Sequence, residues 1–127
     1  MTLSKNNEII TILENNNTTA QILKKYATYN HPDIRRVVAS RINCPTTLHW
    51  YLKDTYVAVK MAVASNSSTG LKTLYILAQQ DNIWIQRNLL QNPKVQKNTT
   101  ILEYLQDQSI FKEIRVFAEQ LLSDLKI

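Results

Sequence analysis

Glycine is almost missing from this chain: Gly70 stands alone among 127 residues, beside three prolines and one cysteine, Cys44. Tight hairpin turns draw on glycine, so its scarcity argues against a β-sandwich or barrel. A single thiol excludes an internal disulfide and a metal centre built from several thiolates. One glycine also excludes a glycine-rich phosphate loop. No run approaches the ~18 consecutive apolar residues of a membrane span. The most apolar stretch, residues 57–64, is broken by Lys60. The opening Met-Thr-Leu-Ser-Lys-Asn-Asn-Glu lacks the basic-then-apolar order of a signal peptide, and the expectation is a soluble cytoplasmic protein without a membrane partner. Charged residues make up 20% of the chain and hydrophobic ones 44%, which fits one folded domain and excludes a charged disordered tail.

Asparagine and threonine are what the chain has in plenty. They cluster as Asn15-Asn16-Asn17-Thr18-Thr19, Pro45-Thr46-Thr47 and Asn98-Thr99-Thr100, each ahead of an apolar-periodic run. A side-chain oxygen there accepts from the free N–H groups of a first helical turn, so the clusters predict helix N-caps.

The chain is also self-similar. Leu23, Leu48 and Leu74 stand 25 and 26 residues apart, and the same two steps relate Ile34, Val59 and Ile85. They relate Tyr26, Tyr51 and Leu77; Ala27, Leu52 and Ala78; Val38, Val63 and Leu89; and Ala39, Ala64 and Leu90. Each copy holds two helical patterns. The first carries a stripe such as Leu74, Leu77 and Ala78. The second opens at Asn30-His31-Pro32-Asp33, with proline in the first turn and an acid beside the positive helix end, and buries Ile34, Val37 and Val38. A helix pair of this length cannot cover its own apolar face, so the copies must stack. Ile9 and Leu13 mark a partial copy over residues 1–22, three repeats fill 23–100, and a degenerate copy with Leu102, Leu105, Ile114 and Ala118 lies in 101–127. A terminal cap helix is predicted over residues 110–125, burying Ile110, Ile114, Phe117, Leu121 and Leu125 and exposing Lys112, Glu113, Glu119 and Asp124. The fold class is therefore all-α: a short α-solenoid of paired helices in a single domain, with a period of about 25 residues.

Val59-Lys60-Met61-Ala62-Val63-Ala64-Ser65-Asn66 and Ile34-Arg35-Arg36-Val37-Val38-Ala39-Ser40 resemble the Val-Arg-x-Ala-Val-Ala-x-Asn core of the leucine-rich repeat variant family. Asn92-Pro93 matches the Asn-Pro that follows in that family, and Pro45 sits where a later proline is expected. The resemblance covers about residues 20–100. It implies a right-handed superhelix of short paired helices, akin to HEAT repeats. Arg41-Ile42 and Asn66-Ser67 depart from the Asn-Pro pattern, and Gly70 replaces a proline. The founding member carries a cysteine-bound iron–sulfur cluster ahead of its repeats. Cys44 alone cannot supply one, so no cofactor is expected. The resemblance carries no activity, because such repeats are scaffolds with many uses.

Charge is unevenly placed. Residues 24–100 hold eleven basic residues against three acids, a net +8, while 1–23 carry −1 and 101–127 carry −2. Arg35 and Lys60 share a column, as do Arg36 and Arg87, and stacking turns columns into rows. With Arg41, and with Lys94 and Lys97 near Asn92-Pro93, these residues form a candidate basic binding face. The alternative is an internal ladder, because Asp54 precedes Lys60 and Asp81 precedes Arg87 by the same six residues.

Catalytic groups are not expected. His31, His49 and Cys44 lack paired metal-ligand spacing, and a lone cysteine before Pro45 reads as a loop residue. Asp81 near Trp84 echoes the catalytic Asp and aromatic cleft of HEAT-like DNA glycosylases, but Asp81 serves better as an N-cap. Tyr26 and Tyr51 belong to a core column, whereas Tyr29 and Tyr56 look more exposed. Trp50 and Trp84 lie off the columns, as gap-fillers between helices or as interface anchors. The function expected is a non-enzymatic module binding another protein through its solenoid surface. The alternative is a nucleic-acid binder using the basic stripe, and a weaker third is self-association through an incompletely capped end.

Overall fold

The structure is a computed structural model and describes residues 2–126. Among them the chain is all-α, with ten α-helices, one 3₁₀ turn and no strand. In order these are α1 (Thr2–Glu14), α2 (Ala20–Lys25), α3 (Pro32–Arg41), α4 (Pro45–Trp50), the 3₁₀ turn (Tyr51–Lys53), α5 (Val57–Ser65), α6 (Leu71–Ala78), α7 (Ile83–Leu90), α8 (Pro93–Gln96), α9 (Thr99–Gln108) and α10 (Lys112–Leu125).

Local chemistry sets the helix starts. Thr19 and Asn98 cap α2 and α9 by accepting from the N–H groups of Ile22 and Ile101. In the third Asn/Thr cluster the cap position falls one residue earlier, on Cys44, and Pro45 opens α4 at the position that needs no N–H. Asn82 caps α7, accepting from Trp84 and Ile85, so it fills the role expected of Asp81. His31 caps α3 through Nδ1, with Pro32 and Asp33 in the first turn.

Helices α2 and α4 have six residues each, far below the ~12–15 that stand alone in water, so packing must hold them. Each buries one leucine, Leu23 or Leu48, and such a burial is worth about 1.5–3 kcal/mol. Helices α1, α3, α5, α7 and α10 pack in a row, each against the next. Against this row lie α2 on α3, the 3₁₀ turn on α5, α6 on α7, and α9 on α10, with α8 touching α6, α7 and α9. The buried side chains form one cluster running from Ile9 to Leu122. Every residue of the six apolar columns is buried except Tyr26 and Leu52, which are half-buried.

The last helix departs from its expected register. It begins at Lys112, with Phe111 as cap residue, and Ile110 is 62% exposed. Its buried stripe is Ile114, Ala118 and Leu122, while Phe117 and Leu125 face solvent. The reason is the loop before it: Ser109 is buried, its Oγ accepts from Phe111 N–H, and Arg115 donates to the Ser109 carbonyl at 2.9 Å. That closed loop rotates α10 so that the 114/118/122 positions meet the core.

Candidate interaction surfaces

In α3, α5, α7 and α10 the residue following the first buried aliphatic is Arg35, Lys60, Gln86 or Arg115, and three of the four close the preceding loop. Arg35 donates to the Tyr29 carbonyl at 2.8 Å, Gln86 to that of Gln80 at 3.0 Å, and Arg115 to that of Ser109, each six residues back. Arg35, Lys60 and Gln86 also reach the next helix pair. Arg35 pairs with Asp54 through Nε–Oδ2 at 2.8 Å, Gln86 Oε1 accepts from Ser109 Oγ at 2.6 Å, and Lys60 donates to Gln80 Oε1 at 3.4 Å. Side-chain exposures of 13% for Arg35 and 6% for Asp54 place this pair inside. The hydrogen bond to Asp54 raises the Arg35 pKa further against the opposing effect of burial. Asp54 therefore serves Arg35 rather than Lys60. Arg87 pairs with Glu113 at 2.7 Å rather than with Asp81, and both partners are about half-exposed.

The expected basic face is thus divided. Arg36 is half-buried, and in the Arg36–Arg87 column the intervening position is Met61, so the cations do not make a continuous row. Arg41 donates to the Asn15 carbonyl at 3.3 Å, and Lys94 Nζ to that of Thr69 at 2.9 Å. Lys97 is exposed. Trp50 and Trp84 expose 47% and 52% of their surface. His49 Nδ1 meets Thr73 Oγ1 at 2.7 Å. The half-buried Cys44 thiol is held below its ordinary pKa by hydrogen bonding to Thr47 and, more weakly, by the charge of Lys24. Among the described residues no three His, Cys, Asp or Glu side chains gather as a ligand set, and no helix is long and apolar enough to cross a membrane.

Two surfaces remain. Between α7 and α10 a cleft of about 260 Å³ is lined by Arg87, Asn88, Leu90, Gln91, Glu113, Ile114 and Phe117. At its rim the Arg87 guanidinium stacks on the Trp84 ring, 4.9 Å from its centroid, and Val116 and Phe117 are exposed. The second surface lies on α2, α4, the 3₁₀ turn, α6 and α8. These carry or adjoin Lys24, Lys25, Lys53, Lys72, Lys94 and Lys97, and they contain no Asp or Glu. Three hollows mark it. One of about 430 Å³ lies against Thr46, His49, Trp50 and Lys53. One of about 330 Å³ joins α4 to α6 through Pro45, Thr46, His49 and Lys72. One of about 270 Å³ joins α6 to α9 through Lys72, Tyr75, Asn98 and Thr100. The Tyr75 ring meets Tyr104 of α9 edge-on at 5.4 Å. No carboxylate lines any of the three, whereas Glu113 lines the α7/α10 cleft.

Lys24, Lys53 and Lys72 occupy no shared column, so periodicity does not single them out. The available signal was the absence of acids from the short helices that bear them. Nor does periodicity single out two polar bridges between helices. Asn66 donates through Nδ2 to the Ala39 and Ile42 carbonyls, and 26 residues later Asn92 donates to those of Ala64 and Asn66, in each case satisfying the end of the preceding row helix. Neither a family model, nor a curated protein, nor a solved structure matches the chain.

Proposed function

We propose that the chain is a non-enzymatic helical-repeat module that binds another protein: a short right-handed solenoid with a period of about 25 residues, similar to the leucine-rich repeat variant family. The recurrence of the Asn66 and Asn92 bridges at a 26-residue spacing supports the repeat reading. Among the described residues the buried side-chain polar atoms all have hydrogen-bond partners, so the interior polar groups hold helices together and binding falls to the surface.

The observation that carries the protein-binding reading is the Trp84–Arg87–Phe117 group at the α7/α10 cleft. Interfaces concentrate their energy in tryptophan, tyrosine and arginine set around a hollow. Trp84 is half-exposed beneath Arg87, Arg87 is oriented by Glu113, and Phe117 lines the cleft. Such an anchor group suits an apolar side chain of a partner, ringed by hydrogen-bonding Asn88 and Gln91. The test is capture from native extract at moderate salt with the wild-type chain, Trp84→Ala and Lys72→Gln. A protein retained by the wild type and by Lys72→Gln but lost from Trp84→Ala is the expected result. A protein set that Trp84→Ala leaves unchanged overturns the reading.

A further inference from the structure

Among the described residues the lysines of the short helices have no acidic partner, although Lys25 sits over the Tyr26 ring at 5.6 Å. Arg35 and Arg87 each have a carboxylate at 2.7–2.8 Å. Among the described residues no lysine pairs with a carboxylate within ion-pair distance. Lys24, Lys25, Lys53 and Lys72 are exposed, and no acid shares their helices. Unmatched like charges repel and weaken the folded state unless a polyanion neutralises them. Lys94 lies beside them, tied to the Thr69 carbonyl just ahead of α6.

Aromatic rings are interleaved with these charges. Trp50 meets the buried Tyr51 ring edge-on at 5.6 Å, and 47% of its surface stays open to solvent. Tyr75 lines the hollow that also holds Lys72, Asn98 and Thr100. The three acid-free hollows succeed one another from α4 to α9, with Thr46 and His49 common to the first two and Lys72 common to the last two.

We infer that this face binds single-stranded nucleic acid, with the lysine ammonium groups on phosphates and Trp50 and Tyr75 as stacking platforms for bases. Ammonium groups on flexible stems track a phosphate backbone as point charges, and rings set between them accept unpaired bases of any sequence. A duplex keeps its bases stacked and offers nothing to Trp50. An acidic peptide or an anionic lipid surface would engage the same lysines without stacking bases on the rings, and the polyglutamate and vesicle arms of the test separate them. The site shares no residue with the α7/α10 cleft and stands or falls independently of it.

The test uses the full chain and a short fluorescein-labelled oligo(dT), titrated across a salt series from about 20 to 200 mM. The log of the affinity is expected to fall with log salt by about 0.7 for each lysine engaged, or roughly −4 for six. Lys24→Gln and Lys72→Gln each flatten that slope by about 0.7, and Trp50→Ala weakens binding about ten-fold at fixed salt. Arg87→Gln, in the other cleft, leaves it unchanged. Circular dichroism checks that these surface variants remain folded. The inference is overturned by any of the following: no binding at the lowest salt, indifference to the lysine and Trp50 variants, or equal affinity for duplex DNA, polyglutamate or phosphatidylserine vesicles at the same salt.

Discussion

Asn92 donates from its side-chain amide to the main-chain carbonyl of Ala64 at 2.9 Å, across 28 residues of sequence, while fully buried. The same amide reaches Asn66 at 3.0 Å, and its oxygen accepts from Lys94 N–H, so one side chain caps the end of α5 and the start of α8 together.

Replacing Asn92 should therefore be expensive. Asn92→Ala leaves the Ala64 carbonyl unpaired, since that of Asn66 keeps the Thr69 N–H, and removes a cap, a loss of about 2–3 kcal/mol in a urea titration. Asn92→Asp should be worse near neutral pH, because it sets a carboxylate against two carbonyl oxygens. Burial raises the pKa of that carboxyl in the folded state. Its ionisation penalty therefore shrinks as pH falls through that raised value and is gone below the unfolded value of about 4. An Asn92→Asp chain as stable at pH 7 as Asn92→Ala would contradict this.

Tyr51 links two helix pairs by donating from its hydroxyl to the Ala27 carbonyl at 2.7 Å. Burial, aided by the Asp54 charge, pushes its phenol well above the ordinary tyrosine pKa. A group whose folded pKa is raised stabilises fully below the unfolded value and loses that contribution above it. Stability should thus fall above about pH 10, by at most about 1.4 kcal/mol per pH unit from this residue. Tyr51→Phe should cost about 1 kcal/mol at pH 7 and flatten the alkaline decline. Parallel urea midpoints between pH 8 and 11.5 for the two proteins would show the difference.

The Arg35–Asp54 pair is the interior electrostatic contact. Arg35→Met should cost about 3 kcal/mol, because it strands the nearly buried Asp54 carboxylate and frees the Tyr29 carbonyl. Adding Asp54→Asn should recover part of that loss. A double-mutant cycle measures the coupling, and purely additive losses would mean that the two charges do not support each other.

Gly70 caps α6 at φ −69°, a conformation open to any residue, and a Cβ built there meets nothing within 4 Å. Its helix start has no side-chain acceptor. Gly70→Ser should stabilise the chain by about 0.5–1 kcal/mol, through a new cap and a less flexible unfolded state. A higher melting midpoint without a change in circular dichroism is the expected reading.

Much of the helical framework was legible in the residues. Apolar periodicity located the buried faces, because burial repeats with helix geometry whatever lies across the interface: Leu23, Ile34, Leu48, Val59, Leu74 and Ile85 are all buried as expected. Caps were legible where a Thr or Asn directly precedes the helix, as at Thr19 and Asn98. The rotation of α10 was not. Two stripes, Ile114/Phe117/Leu121 and Ile114/Ala118/Leu122, fit its sequence, and only the closed Ser109–Arg115 loop selects the second.

The candidate surfaces divide in the same way. Composition and register by themselves determined an all-helical chain with its net positive charge concentrated between residues 24 and 100, because these follow from residue types and their spacing along one strand of chain. Which cations stay available was decided by tertiary structure alone. Arg35 turns inward to Asp54, 19 residues away, and Arg87 crosses to Glu113, 26 residues away, while the lysines of the short helices meet no carboxylate within ion-pair distance. Pairing depends on distances between side chains that folding brings together, and linear spacing does not encode those distances.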